Sequence, residues 1–392
     1  MCNIRHSIAI TLLCLAPGSA VAADALNILQ FAPPGGVVDR TGHEDASPAL
    51  SAAVKAANVF TARGEPACVY IPPGIYRIVR SPPEFVRAGC VKGDGPTQSV
   101  LRIDKTFQGD LFAWSEAWLP TTPGPTVVGL KIEGDVTATN DQNALVFYDR
   151  NDEVFLDNIE VDGLHGRALY SGAKQRSSQA YMREAHIRSL RFFRDGALGV
   201  PVVEFSSEGS GKTDASNEIA MNQVDIYGAA GPSLVIRNGG NGSMRSITID
   251  SLRIEGLESG QSRGDLLAIG DTVMPGKVNN IRLTNVELLD VAAGFSALHV
   301  TAAPGTPPPY QLTFDGAIGG GIPRGEGLRI DAGRDSVFRF SAMHTMGANV
   351  VIGRGVTGIL LDGGGRERSW TFRIDPRDAS SILFPVFRGP GN

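Results

Sequence analysis

The stretch Val154-Phe155-Leu156-Asp157-Asn158-Ile159-Glu160-Val161 decides the fold. Its apolar residues fall at offsets 0, 2, 5 and 7, with Asn158 in the gap. The two-residue steps keep side chains on one face of a strand. The three-residue gap marks a bend after which a second strand begins. The template returns at Ala185-Ile187-Leu190-Phe192, Ile219-Met221-Val224-Ile226, Ile247-Ile249-Leu252-Ile254 and Ile281-Leu283-Val286-Leu288, with weaker copies starting at Leu312 and Phe338. The starts are separated by 31, 34, 28, 34, 31 and 26 residues. A period-2 pattern at this interval means stacked β coils, because one coil cannot bury its own apolar side and a stack shares one core. Asn158, Ser189, Gln223, Ser251 and Asn285 fill the bend, where polar side chains can bond nearby backbone groups and tolerate tight turns. A β-sandwich would not repeat one template at one period.

Each copy is followed by a second apolar run: Leu169, Leu198, Leu234, Leu267, Leu298, Leu328 and Val350. Upstream, residues 35–105 form an opening module. Ser47-Pro48 reads as an N-cap with proline at the first helical position, Leu50, Ala53, Val54 and Ala57 recur at helical spacing, and Gly64 is the stop. Short strands follow at Val69-Tyr70-Ile71, Ile75–Val79 and Val100–Ile103.

The set Val37-Val38-Asp39, Asp45, the Ala-rich helix, Val69-Tyr70-Ile71-Pro72-Pro73-Gly74-Ile75-Tyr76 and Gly93-Asp94-Gly95 resembles the N-terminal segment of the pectate-lyase-like superfamily. The resemblance implies an all-β fold, a single-stranded right-handed parallel β-helix with a short N-terminal capping helix, and a polysaccharide partner. One domain is expected over residues 23–392, with 35–105 as the cap and first coils. The polygalacturonase motifs Asn-Thr-Asp, Asp-Asp, Gly-His-Gly and Arg-Ile-Lys are absent, as is the epimerase Asp-Pro-His, so no catalytic residue is implied by likeness.

Composition bounds the function. The 392 residues carry 36 Lys plus Arg against 41 Asp plus Glu, a formal net charge of −5, which argues against a nucleic-acid binder. Gly contributes 48 of the 392 residues, above the usual ~7%, as many tight turns require. Arg5-His6, the apolar run Ser7–Leu15, Pro17-Gly18 and Ala20-Val21-Ala22 predict a signal peptide over residues 1–22 and a periplasmic or secreted product. No later stretch is long enough to cross a membrane. Cys68 and Cys90 then remain, and a single disulfide is expected.

Stacking supplies a rule for the site. Equivalent positions on adjacent coils lie about 4.8 Å apart, and those two coils apart about 10 Å. With the leucines of the second runs inward, Tyr170, Gly199, Val235, Ala268, His299, Arg329 and Val351 form an outward column. Arg237, Thr301 and Asp331 stand two residues further on, with Asp265 and Glu326 just before the strands and Asp271 just after. His299, Arg329, Asp331, Asp271, Arg237 and Tyr170 are the candidate catalytic residues. Asp265 and Glu326 would bind substrate, and Trp114 and Trp118 could stack on sugar rings or pack under their loop. His165, Arg167 and Lys174 could line one end of the groove.

Two chemistries fit. β-Elimination from a uronic-acid glycan needs a cation against the sugar carboxylate, a base for the C5 proton and an acid for the leaving oxygen. Arg329 or Arg237 would supply the first, and His299 or Tyr170 the others; this lyase reading is preferred. Hydrolysis needs two carboxylates, such as Asp271 with Asp331 or Asp265 with Glu326. A non-catalytic glycan-binding or export protein is the third class. No cofactor is required, although Asp149, Asp152, Glu153 and Asp157 could bind Ca²⁺.

Overall fold

The computed structural model describes residues 25–383, apart from residue 88 and the segments 118–123, 176–178, 208–214, 258–262, 274–275, 322, 364–369 and 375–381. The expected signal segment, residues 1–22, and Trp118 lie outside the described residues. The chain is a parallel β-helix whose strands form two long parallel sheets.

The first sheet collects the templated strands, among them Phe155–Asp162, His186–Phe193, Ile219–Tyr227, Ser243–Glu255 and Lys277–Leu289. Leu156 pairs with Ile187, Ile187 with Met221, Met221 with Ile249, and Ile249 with Leu283. Asn158, Ser189, Gln223, Ser251 and Asn285 all hold φ between 53° and 58°. The bend is therefore a left-handed corner, stacked coil on coil. A second left-handed column sits just before each template, at Glu153, Glu184, Glu218, Ser246, Asn280 and Gln311.

The later copies depart from the template. At Leu312 the corner residue is missing, and Gly316 pairs with Val286 across a register shift. A Cβ on Gly316 would stand 2.2 Å from the Val286 carbonyl oxygen, so only glycine fits this tighter path. The expected start at Phe338 is two residues late: Phe338 pairs with Phe314, the second apolar position of its own coil.

The second sheet holds ten strands relevant to the site: β1 (Gly109–Ala117), β2 (Gln142–Asp152), β3 (Leu169–Gly172), β4 (Val203–Ser207), β5 (Leu234–Asn238), β6 (Leu267–Ile269), β7 (Ser296–Val300), β8 (Glu326–Ile330), β9 (Val350–Ile352) and β10 (Phe372–Ile374). Their inward residues form two columns. One runs Phe112, Leu145, Leu169, Val203, Leu234, Leu267, Leu298, Leu328, Val350 and Phe372. From Phe112 to Val350 these side chains are essentially sealed from solvent. Each such burial contributes about 1.5–3 kcal/mol before conformational entropy is charged against it.

The other inward column contains Trp114, which overturns its proposed role on sugar. Trp114 is fully buried, stacked between Phe85 and Phe147 at 5.0 Å from each, and its indole N–H donates to the Gly89 carbonyl at 3.1 Å. The expected strand at Leu198 is also corrected. Leu198 sits on an exposed turn, and Leu169 pairs instead with Val203 of β4.

The helix α1 (Ser47–Ala62) buries Leu50, Ala53, Val54 and Ala57 against the first coil. It begins one residue earlier than expected. Ser47 is its first residue, and the hydroxyl accepts from the backbone N–H groups of Val79 and Arg80 at 2.8 and 3.1 Å. Gly64 ends it in the left-handed region, φ 78°. Cys68 and Cys90 stand in register on adjacent strands and are joined by a disulfide.

Candidate functional site

The register corrects the outward column to Ala113, Val146, Tyr170, Glu204, Val235, Ala268, His299, Arg329, Val351 and Arg373. Glu204 replaces the expected Gly199, and Arg373 extends the column by one coil. Alternation in Val203-Glu204-Phe205 could have shown that Glu204 points outward, had the strand been set on Val203 rather than Leu198. His299 and Arg329 are neighbours, as expected.

His299 is the centre of a three-residue relay. Its Nδ1 meets Asp265 Oδ2 at 2.7 Å and its Nε2 meets Asp331 Oδ2 at 3.0 Å. Asp265 comes from the turn before β6 and Asp331 from the residue after β8, so the two carboxylates reach the imidazole from the coils on either side. Burial opposes charge on the ring, but the hydrogen bonds to Asp265 and Asp331 outweigh it and raise the His299 pKa to about 9. The ring is therefore an imidazolium at neutral pH, donating from both nitrogens, and it is not a base. The hydrogen bond from His299 holds Asp331 ionised, its pKa lowered to about 2, with Arg329 assisting against partial burial.

Arg329 closes the group, with Nε 2.9 Å from Asp331 Oδ2 and Nη1 3.5 Å from Glu326 Oε2. Arg373 meets the other oxygen of Glu326. Asp265 Oδ1 also accepts from the Ser296 backbone N–H at 2.7 Å, while Glu326 Oε2 accepts from the Ser296 hydroxyl at 3.4 Å. Ser296 thus brings these two carboxylates to one place.

A second ion-pair ladder lies beside the relay on the same face. Arg167 Nε donates to Glu204 Oε2 at 2.6 Å, and Arg237 contacts Glu204 Oε1 without the alignment of a hydrogen bond. Arg237 Nη1 reaches Asp271 Oδ2 at 3.2 Å. Glu204 is fully buried beneath its two arginines, whose side chains are about one-third exposed. Arg167 in turn lies over the Tyr170 ring, 4.8 Å from its centre, and Tyr148 packs edge-on against that ring. Tyr148 donates to Asp110 at 2.8 Å, and burial with the adjacent Asp110 pushes its hydroxyl pKa up.

The candidate residues therefore divide. His299, Asp265, Asp331, Arg329 and Glu326 share one cluster. Arg237, Asp271 and Tyr170 belong to the Glu204 ladder. The acidic stretch at residues 149–157 is dispersed: Asp157 pairs with Arg188 at 2.9 Å, and Asp149 accepts from the Lys174 backbone N–H at 3.1 Å. Among the described residues no group of three or more His, Cys, Asp or Glu could hold a metal ion. The relay is partly exposed, with Asp331 its most accessible member at 34%. A cleft of about 730 Å³ lies elsewhere, at the exit end of the first sheet. Its ion pairs involve no histidine held between carboxylates, so the relay is the stronger candidate for proton chemistry.

No family model matches the chain, and no curated protein matches it. Solved structures share the fold. A Geobacillus virus E2 protein, ORF18, superposes with a TM-score of 0.54 at 13% identity, over 87% of this chain and 62% of its own. This chain thus spans less than two-thirds of that protein. The A-module of the Azotobacter vinelandii mannuronan C-5 epimerase AlgE6 gives 0.41 at 14% identity, over 92% of this chain and 100% of the module. The catalytic unit of a Streptomyces thermodiastaticus α-1,3-glucanase gives 0.35 at 16% identity, over 93% and 69%. The likeness is one of fold, a parallel β-helix.

Proposed function

We propose that the protein is exported, lays a polysaccharide along the outward face of the second sheet, and cleaves it by acid–base chemistry at the Asp265–His299–Asp331 relay. One observation carries this reading: an outward imidazole held between two carboxylates at 2.7 and 3.0 Å, charged, with one of those carboxylates about one-third exposed. Asp331 turns from Nε2 toward Arg329, a glycosidic oxygen takes its place at Nε2, and that oxygen receives the imidazolium proton as its bond to carbon breaks. Asp331, ionised and the more open of the two partners, accepts the proton that the attacking water gives up. Proton transfer of this kind contributes about 10²–10⁴-fold in rate. Export draws support from the Cys68–Cys90 disulfide, which persists in oxidising compartments.

Charge balance favours hydrolysis of a neutral glycan over the lyase route. Glu84, Asp110, Glu204, Asp265, Asp271, Glu326 and Asp331 put seven carboxylates on this face, against six cations: Arg167, Lys174, Arg237, Arg329, Arg373 and protonated His299. Arg237 and Arg329 are each engaged by two carboxylates, so neutralising a uronate would require them to release one. Elimination keeps one specific support, the stretch His299–Arg329–Val351–Arg373, which gathers positive charge along three coil steps.

The test is a panel of neutral and uronic-acid polysaccharides, followed for reducing ends and for the ultraviolet absorbance of unsaturated ends. Reducing ends without absorbance, lost about 10²–10⁴-fold in His299→Gln, are expected. Absorbance on a uronate would establish elimination instead. Retention on a glycan without turnover, unchanged in His299→Gln, would leave a binding protein and end the catalytic reading.

A further inference from the structure

The cleft at the exit end of the first sheet has no part in the relay chemistry. Its floor is a register column: Arg77 pairs with Arg102, Arg102 with Glu133, and Glu133 with Asp162. Three coil steps make this column about 14 Å long. Its volume of about 730 Å³ falls within the ~300–1,000 Å³ of ligand sites. The charged lining residues balance: Arg77, Arg102, Lys105 and Arg194 against Asp104, Glu133, Asp135 and Asp162.

Most of these groups are held flat by one another. Arg77 meets Asp104 at 2.6 Å, Arg102 meets Glu133 at 2.7 Å, and Arg194 meets Asp162 at 2.6 Å. Planar guanidinium and carboxylate groups fixed in this way present donors and acceptors side by side, which matches vicinal hydroxyls. Asp135 uses Oδ1 for the backbone N–H and hydroxyl of Thr137, at 2.8 and 2.6 Å. Lys105 lies near enough to Asp135 to favour its charge, and it makes no ion pair among the described residues. Val136, 62% exposed, supplies an apolar rim.

We propose that this cleft is a second, non-catalytic binding site for a neutral polyhydroxylated ligand, a saccharide chain running along the coil axis. The balanced lining disfavours a polyanion or a polycation, either of which would leave half of the paired charges opposed to it. The row of fixed planar groups suits hydroxyls at successive coil spacings, and Val136 suits the C–H surface of a sugar ring. The site goes beyond the cleavage reading and does not rest on it.

The test is electrophoresis of the native protein through gels cast with laminarin, dextran, starch or xylan, with alginate and polygalacturonate as anionic comparisons. Slowed migration is expected in at least one neutral gel. It should be retained by His299→Gln and weakened about tenfold by the double variant Lys105→Ala/Val136→Ser, the loss expected from one charged hydrogen bond. Both substitutions are at exposed turn positions, and unchanged circular dichroism would confirm folding. Free migration in every neutral gel, stronger slowing by the anionic gels, or slowing that the double variant does not change would each overturn the site. Slowing that depends on Lys105 in a protein that cleaves nothing would uphold this site while the catalytic reading fails.

Discussion

Glu204 and Asp331 are both outward carboxylates engaged by two cations, yet they sit in opposite environments. Glu204 is fully buried under Arg167 and Arg237, whereas Asp331, between His299 and Arg329, is 34% exposed. A buried charge depends on its partners, because without them it has neither water nor counter-ion. A partly exposed charge can exchange a partner for solvent or substrate at little cost. The first arrangement ties coils together, and the second leaves a group free to react.

The contrast can be broken by mutation. Arg167→Ala with Arg237→Ala strands the Glu204 carboxylate and should cost about 3–5 kcal/mol in denaturant unfolding. Arg329→Ala should cost at most about 1 kcal/mol. Equal losses would mean that the two carboxylates are energetically alike. Replacing Cys68 and Cys90 by serine removes the one cross-link between adjacent coils seen among the described residues and should cost about 3 kcal/mol, read in the same titration. Gln223→Val places a β-branched residue in the left-handed corner, φ 56°, and should cost about 1–2 kcal/mol, whereas Gln223→Gly should be nearly neutral.

A further effect comes from pH. The His299 pKa is raised from its ordinary 6.5 to about 9, so its contribution to stability is complete below 6.5 and is lost as pH rises through 9. The Asp331 pKa is lowered from 3.8 to about 2, so its contribution is present above 3.8 and is lost as pH falls through 2. The pair therefore gives a flat contribution between pH 3.8 and 6.5. A His299 ring titrating near 6.5 by NMR would show that the carboxylate clamp is not made in solution.

The sequence made the stack legible because Ile, Leu and Val at fixed offsets can serve only a shared core. It also made the corners legible, since Asn158, Ser189, Gln223, Ser251 and Asn285 occupy the one position that needs a left-handed backbone. It failed at Leu198, where Leu198 and Val203 offered two registers, and the run at Val203 won because Val203 and Phe205 enter the core while Glu204 between them meets Arg167 and Arg237. It failed at Trp114, because no template copy upstream of Val154 fixes which residues of that strand point inward. The neighbourhood of His299, Arg329 and Asp331 followed from register alone. The charge on the imidazole did not, because Asp265 reaches it from a turn that no periodicity marks.

The helix Ser47–Ala62 has a consequence for how these molecules meet one another. The end of a coil stack is a slice through a greasy interior ringed by strand edges, a template on which another molecule could add. By spreading Leu50, Ala53, Val54 and Ala57 over that slice, the helix closes it to end-on growth into fibres.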